Sequence, residues 1–575
     1  MKLFGKNYDN DIEPTKVWKW YDHGVDWHRQ NNLYADTETF YHMVEAEQWH
    51  GIESGGEKLP FYDFITGIVE HKTAMVAMNT VSIHYSPLNK GKDRAIYQQA
   101  CDLLNEFAAS KWELSKMDTT VWDMVNAACI TGDSYLFFYD RELNHQRIDR
   151  TNIYFADEQE PDVQKQRRII IYERRLVEDV KEDARKNGLS EEEIANILGD
   201  EDTENLPEAA KKEVKGEEKC SCLLCMEKKP LPPPHSQPYG IFISRSTKTV
   251  IYQPEEQVIA YDENGQPTGR GITLYPIVKM MWYPKRGSSR GIGEVKRQIN
   301  NQITSNKNLY RRVESVKKSA FPKPVASVDM LSNPDDSDKV GVTMRVKGIV
   351  QRATDAFGYV APQSSTGEPK ELQEELIQMS RDLANAGDNA IGNINPEKAS
   401  GAAIIAVRDQ QSLPLNKPKA YFKQMVEDIA LVWLDIWTAY NPNGLVVDED
   451  EEGNQVIIPA EILQNLKAKV KIDVSPNLPF DKFTLQQQID NLVSNPIYQN
   501  TELLQEYHDM IADDNPIKAK IKDILTKRAE RAQQQVTIEQ LQAEMLQLQA
   551  ELEQAYAIIN QLGGMPNGTT YTAPA

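Results

Sequence analysis

The sequence predicts an α+β protein whose helices and strands fall in separate stretches, and three observations predict it. Strand-like runs at 134–139, 239–261 and 272–283 are bounded by turn sequences, and no βαβ repeat links them. Two long helices with thin apolar seams, over 286–321 and 365–391, flank a short Pro-, Gly-, Val- and Asp-rich segment that reads as a small β-rich module. The chain ends in a heptad seam over 537–562.

Composition narrows the classes. The length of 575 residues suggests about three or four domains. A hydrophobic content of 40% is enough for real cores. A formal charge of −21 excludes a general nucleic-acid coat. Contact with DNA would run through local basic elements between acidic walls, which suits a passage better than a clamp. Five cysteines in so long a chain argue against a disulfide framework. The first 14 residues hold no apolar core of signal-peptide length. No run approaches the roughly 20 apolar residues that span a bilayer. A soluble protein of intracellular origin, without membrane contact, is expected.

In chain order, residues 1–60 carry Trp18, Trp20, Trp27 and Trp49 among many charges, as packing or partner anchors. Leu59-Pro60 opens a helix that runs into a strand ending near Tyr85. Residues 92–130 read as helices with Leu103, Leu104, Phe107, Val121, Met124 and Val125 inside, broken at Thr131-Gly132-Asp133. Strands follow at 134–139, 148–157 and 168–172.

Residues 176–219 are dominated by Glu, Asp and Lys and read as a surface excursion, with helices at 173–186 and 190–198. It ends in Cys220, Cys222 and Cys225, with His235 beyond. Three thiolates and an imidazole are a possible zinc set. The C-x-C-x2-C spacing matches no standard finger, and a reduced, mobile Cys-rich loop is the alternative.

The helix over 286–321 has Ser288 or Ser289 as candidate caps, and Pro322 and Pro324 to stop it. It would be roughly 45–50 Å long. Ile292, Val295, Ile299, Ile303, Tyr310, Val313 and Val316 make its seam. From 285 to 323 the acids are only Glu294 and Glu314, against cations that include Arg290, Lys296, Arg297, Lys307, Arg311, Arg312, Lys317 and Lys318. Its wet sides would meet solvent or a polyanion. Arg290-Gly291-Ile292-Gly293 is not a dinucleotide loop: Lys296 stands where the third glycine belongs.

After the helix, 342–350 alternates as a strand within the module. Ser365 and Glu368 have capping-box spacing and Pro369 fits a first turn. The second helix carries Leu372, Leu376, Met379 and Leu383 as its stripe. Residues 392–418 form a loop region in which Pro414 and Pro418 break any helix. An amphipathic helix spans 421–440, a hairpin 445–458, a strand 469–474 and further helices 482–530. The last residues, 564–575, read as a disordered tail.

No catalytic signature stands out. The phosphate-loop pattern G-x-x-x-x-G-K-[ST], the zinc pattern H-E-x-x-H and the elbow G-x-S-x-G are all missing. No enzyme and no cofactor are expected.

The order of several motifs resembles the portal proteins of tailed double-stranded DNA bacteriophages. They are LPFYDFITGIVEHKTAMVAMNTVSIHY (59–85), ACITGDSYLFFYD (128–140), IYFAD (153–157), YPIVKMMWYP before SSRGIGEVKRQINNQITSNKN, KASGAAI (398–404) and VKIDVSPNLPFDKFTLQQQIDNLV. Each is weak alone, and their order over roughly 40–530 carries the resemblance. It implies a wing from residues 1–285 and 419–480, with 176–238 as an insertion. It implies a stem of two helices (286–320 and 365–391), a clip (321–364), a tunnel-loop region (392–418) and a crown (481–535). The heptad helix at 536–563 would be an addition.

The resemblance also implies a dodecameric ring at one capsid vertex of the virion, assembled in the host cytoplasm. Its partners would be double-stranded DNA without sequence preference, the terminase large subunit, major capsid and scaffold proteins, and a head–tail adaptor. The DNA-proximal candidates are Lys398, Arg408, Lys417 and Lys419 near the loop, and Arg311, Arg312, Lys317 and Lys318 on the stem. Stem cations facing solvent or capsid are the competing reading. A metal-dependent DNA-processing enzyme and a coiled-coil scaffold or adaptor are the alternative functions.

Overall fold

In the computed structural model, helices pack on antiparallel sheets, so the mixed helix-and-strand class holds. The structure describes residues 13–384 and 413–475, outside 54–57, 78–79, 90–93, 202–210, 212–216, 231–238, 253–270, 321–322, 337–338, 340, 344, 348–356, 361–366, 442 and 450–454. Of the C-terminal stretch it describes 545, 548–550, 552 and 554. The chain divides into two units, Met1–Val474 and Ser475–Ala575.

The first helices, α1 (Pro14–Gln30) and α2 (Leu33–Val44), come from the Trp-rich start. Val17, Tyr21 and Val25, four residues apart, place one face of α1 against Tyr154, Ile170, Tyr172 and Leu223 of a sheet. As expected, α3 (Ile65–Ala77) leads into β1 (Thr80–Pro87). Next come α4 (Arg94–Leu114) and α5 (Met117–Thr131), which bury Leu104, Val121, Met124 and Val125. Gly132 ends α5 at φ +116°, and β2 (Asp133–Phe138) is buried throughout.

Two sheets follow. One has the order β3-β2-β9, with β3 at His145–Ile148 and β9 at Ile277–Met281. The other has five strands in simple order: β4 (Ile153–Phe155), β5 (Arg168–Leu176), β6 (Lys219–Pro230), β7 (Tyr239–Ser246) and β8 (Ile251–Tyr252).

The 176–238 stretch corrects an expectation. Its helices exist, as α6 (Val177–Lys186) and α7 (Glu191–Ala195), the latter opened by a Ser190–Glu193 capping box. The residues before Val177 belong to β5 rather than to a helix. The Cys-containing end is neither a loop nor an excursion but β6, paired to β5 from Leu176↔Lys219 to Arg168↔Glu227 and to β7 on its other side. The run Cys-Leu-Leu-Cys-Met buries well on both faces, which the charged residues around it obscured.

The long basic helix is also shorter than expected. Its first nine residues form a turn and a short hairpin, β10 (Tyr283–Pro284) with β11 (Gly291–Ile292), and α8 spans Val295–Ala320. At 26 residues α8 is about 39 Å long. Ser288 and Ser289 therefore cap nothing.

The module beyond it pairs β12 (Lys323–Ala326) with β13 (Phe357–Val360). Of the strand expected at 342–350, the described residues show a single bridge, Val346 to Leu331. α9 covers Gly367–Leu383. The proposed caps at Ser365 and the loop at 392–412 lie outside the described residues.

The chain then returns to the first sheets. α10 (Asn416–Tyr440) starts earlier than expected, because Pro414 and Pro418 sit at its entrance rather than within it. It is a core helix: Trp433 and Trp437 are buried. Asp435, which interrupts its apolar run, accepts hydrogen bonds from Thr273 N (2.7 Å), Thr273 Oγ1 (2.7 Å) and Leu274 N (3.0 Å). The hairpin of β14 (Leu445–Glu449) and β15 (Gln455–Ile458) precedes α11 (Ala460–Asn465). β16 (Ala468–Ser475) then pairs with β1.

In the second unit, Met545, Leu548 and Leu552 are helical and exposed. The helices expected at 482–530 and the tail at 564–575 lie outside the described residues. Among the described residues, no helix is long and apolar enough to cross a membrane.

The glycines of Arg290-Gly291-Ile292-Gly293 have a packing reason. A Cβ on Gly291 would lie 2.0 Å from the Gly132 carbonyl oxygen, and one on Gly293 would lie 2.2 Å from that of Ile130. Both neighbours are backbone and cannot step aside. Gly291→Ala and Gly293→Ala are expected to cost at least about 2 kcal/mol each in denaturant unfolding. Gly67→Ala, on α3 with nothing within 4 Å, should leave the midpoint unchanged or slightly raised.

Candidate assembly and nucleic-acid interface

The interface is built on α8, and its geometry is set by the turn before it. Arg290, counted from the sequence among the wet cations, is 2% exposed. Its Nε donates to Glu158 Oε2 (3.0 Å) and its Nη2 to Glu158 Oε1 (2.7 Å). Nη2 also reaches the Ile153 carbonyl (2.7 Å) and His28 Nε2 (2.9 Å), and Nη1 reaches the Arg150 carbonyl (3.0 Å). Ser289 donates to Glu158 Oε2 at 2.5 Å. Asp133, buried beside them, accepts from Arg150 (3.0 Å), Gly291 N (2.9 Å) and Tyr135 Oη (2.8 Å).

The charge states follow from this packing. Burial alone would raise the Glu158 carboxyl, but the charge of Arg290 and the hydrogen bonds from Arg290 and Ser289 hold it well below the usual carboxylate range. Burial likewise works against an ionised Asp133, and Arg150 and Arg290 overcome it. Burial lowers His28 to about 4, with Arg290 adding to the effect, so its Nε2 is free to accept from the guanidinium. Burial also brings Lys279, close by, down to about 8.

A second buried pair, Lys72 Nζ to Glu294 Oε1 at 2.8 Å, ties α3 to the residue before α8. Sequence reading missed both groups. The available signal was an arginine and a glutamate interleaved with two glycines, which weaken a helix there.

Along α8 the side turned inward carries Val295, Ile299 and Ile303 against the core and, beside them, buried amides. Gln302 Oε1 accepts from Phe64 N (3.2 Å), and its Nε2 donates to the Tyr62 carbonyl (2.6 Å). Asn306 Oδ1 accepts from Tyr62 N (3.2 Å), and its Nδ2 donates to Gln48 Oε1 (2.6 Å). The contact with α9 is polar too: Asn301 donates to Ser380 Oγ (2.9 Å) and Arg312 to Gln373 Oε1 (2.8 Å).

The apolar stripe of α9 therefore points elsewhere. Gln373 and Ser380 are buried, whereas Leu372, Met379 and Leu383 are 45%, 49% and 71% exposed. At 100° per residue the stripe sits roughly a quarter-turn round the helix from Gln373 and Ser380. Val316 near the end of α8 is 54% exposed. The α8 stripe is covered through Val295, Ile299 and Ile303, and of the α9 stripe Leu376 is half-buried, whereas Leu372, Met379 and Leu383 stay exposed.

The candidate cations fall in two places. Arg311 and Lys318 share the outer side of α8 with Lys307, opposite Gln298, Gln302 and Ser305, and all three are exposed. Among the described residues none of these three has an acidic partner. Arg312 is turned to α9, and Lys317 lies 3.5 Å from Glu314. Lys417 is exposed and Lys419 half-buried in the first turn of α10. That turn adjoins the other end of α8, since Tyr283 Oη donates to the Pro414 carbonyl (3.3 Å) and Arg297 stacks over the Tyr283 ring at 4.0 Å. Lys398 and Arg408 lie outside the described residues.

The three candidate thiolates are not brought together. The pleat of β6 turns Cys220 and Cys222, 3.8 Å apart, towards Val180 and Ile194, and Cys225 towards Val17 and Tyr21. His235 lies outside the described residues. Among the described residues, no group of three His, Cys, Asp or Glu could hold a metal ion.

Two outcomes check the buried cluster. Glu158→Ala, which takes the bidentate partner from the buried Arg290 and leaves it Asp133 at 3.7 Å, should cost about 3–5 kcal/mol, and the double change Glu158→Leu with Arg290→Met should recover much of it. For His28 the folded value, about 4, lies below the ordinary 6.5. The unfolded chain therefore takes up the proton first on acidification. Stability should fall from pH 7 to pH 5 by up to about 2 kcal/mol from this residue. His28→Gln, followed by denaturant melts across that range, should flatten the slope.

No protein-family model matches this sequence, and no curated protein matches it.

Proposed function

We propose that this chain is a phage portal protein: copies stand side by side in a closed ring, and double-stranded DNA passes through the middle. The observation that carries the reading is the inversion on the stem helices. On α9 the polar Gln373 and Ser380 are buried against the rest of the chain, while Leu372, Met379 and Leu383, and Val316 near the end of α8, are left to water. Covering such residues is worth about 1.5–3 kcal/mol each. A repeated head-to-tail contact covers them on every copy, and it closes into a ring when the rotation closes.

The basic row Lys307, Arg311 and Lys318 lies on another side of α8 from that stripe, and the resemblance to portal proteins assigns such a row to the channel. In a chain of charge −21, a few exposed cations offer phosphate contacts that are weak and quickly exchanged. Lys417 and Lys419 belong to the same path, with Lys398 and Arg408 as its loop residues. The role is structural rather than catalytic. The ring occupies one vertex of the capsid in the virion. It meets the terminase large subunit during packaging, and capsid, scaffold and head–tail adaptor proteins as partners.

Sedimentation of the purified full-length chain tests this. The wild type should run as a large assembly, and Leu372→Glu with Met379→Glu should run as the single chain of 65.4 kDa with unchanged circular dichroism. Lys307→Glu, Arg311→Glu and Lys318→Glu together should keep the assembly and weaken binding to unrelated duplexes alike, by about tenfold at low salt, with a smaller salt slope. A wild type that sediments as one chain at every concentration would refute the ring.

A further inference from the structure

The partners of α8 mark out its sides. Asn301 and Arg312 bond to Ser380 and Gln373 and face α9. Gln302 and Asn306 hold the segment that carries Phe61 and Tyr62. Asn306 stands five residues beyond Asn301, so these two flanks lie roughly 140° apart at 100° per residue. The basic row Lys307, Arg311 and Lys318 takes the side between them, roughly 80–140° from each.

Both flanks carry uncovered apolar residues. Phe61 and Tyr62 are 39% and 44% exposed on one, and Leu372 and Met379 are uncovered on the other. The two patches match in level. The bonds Asn301–Ser380 and Arg312–Gln373 run α9 antiparallel to α8 and set Met379 beside Asn301. Tyr62, bonded to Gln302 and Asn306, lies within about one helical turn of that level.

The charges match too. α9 holds five carboxylates and two cations, and α8 seven cations and one carboxylate. Glu371 and Glu375 are exposed and lie roughly 160° round α9 from Gln373, turned away from their own α8, while Lys370 pairs with Glu374. Lys317, eleven residues beyond Asn306, returns to the Tyr62 flank and stands within about one turn of Glu371 in level. Its contact with Glu314, at 3.5 Å, is an exposed one. Of the described charges next to Phe61 and Tyr62, Glu53 and Lys58 offset each other and Asp63 is bonded to Thr66.

A head-to-tail ring uses two different surfaces of each copy, and rotation about the ring axis keeps every residue at its own height. Taking the ring as the assembly, with α8 running along the channel, we propose that the stripe of α9 seats on the Phe61–Tyr62 flank of the next copy. Met379 then meets Tyr62, and Glu371 lies towards Lys317. The basic row, standing between the two contacts, is left facing the channel.

Cysteine cross-linking in the full-length protein tests the pairing. The native cysteines are all buried. Tyr62→Cys with Met379→Cys, treated with a short bismaleimide, is expected to give a ladder of multiples of 65.4 kDa on a denaturing gel. Either substitution alone should stay at one chain. A double variant that sediments as the wild-type assembly does but gives no ladder overturns the pairing and leaves the ring standing. A ladder from either single variant overturns the pairing too. A wild type that sediments as one chain overturns both. A charge swap gives an independent reading: Lys317→Glu should raise the concentration needed for assembly about tenfold, and adding Glu371→Lys should restore it. The swap decides if the cysteine pair itself prevents assembly, and failure of Glu371→Lys to restore the ring overturns the proposal.

Discussion

The structure depends on how α8 is fastened. Its entrance is held by charges taken fully out of water, Arg290 with Glu158 and Lys72 with Glu294, and its inner side by the amides of Gln302 and Asn306. Buried ion pairs are costly unless every donor is satisfied, and they add little net stability against apolar groups of the same shape. What they do supply is a unique arrangement. Each Arg290 nitrogen has a partner on a different element, so a small rotation of the helix entrance breaks several bonds at once.

That fastening has a consequence for the outside. Helices usually bury apolar residues and expose polar ones. Here the polar residues are used up in holding α8 to the segment before α3 and to α9, and the apolar stripe of α9 remains on the surface. In the proposed ring a second copy would supply the missing cover, and the basic side of α8 would serve another partner.

Much of the architecture was legible in the sequence. The α3–β1 unit, the paired helices α4 and α5, the break at Gly132, the hairpin of β14 and β15 and the strand β16 follow from period, turn residues and apolar spacing. The failures have physical causes. Periodicity ran α8 back to residue 286, because Ile292 and Val295 continue the apolar spacing. It did not weigh three glycines, two of which pack backbone on backbone. The Cys-rich run reads as a loop because its neighbours are charged, whereas a strand buried on both faces carries no alternation to detect. The apolar stripe of α9 was correctly identified, but sequence has no means of saying which neighbour a stripe faces.

The central claim is that the exposed stripe on α9 and the outer side of α8 belong to a contact repeated around an open channel. Negative-stain electron microscopy of the purified chain tests it most directly. The account predicts end views of a closed ring with a central hole. Isolated particles of the size of one 65.4 kDa chain, with no rings at any concentration, would contradict it.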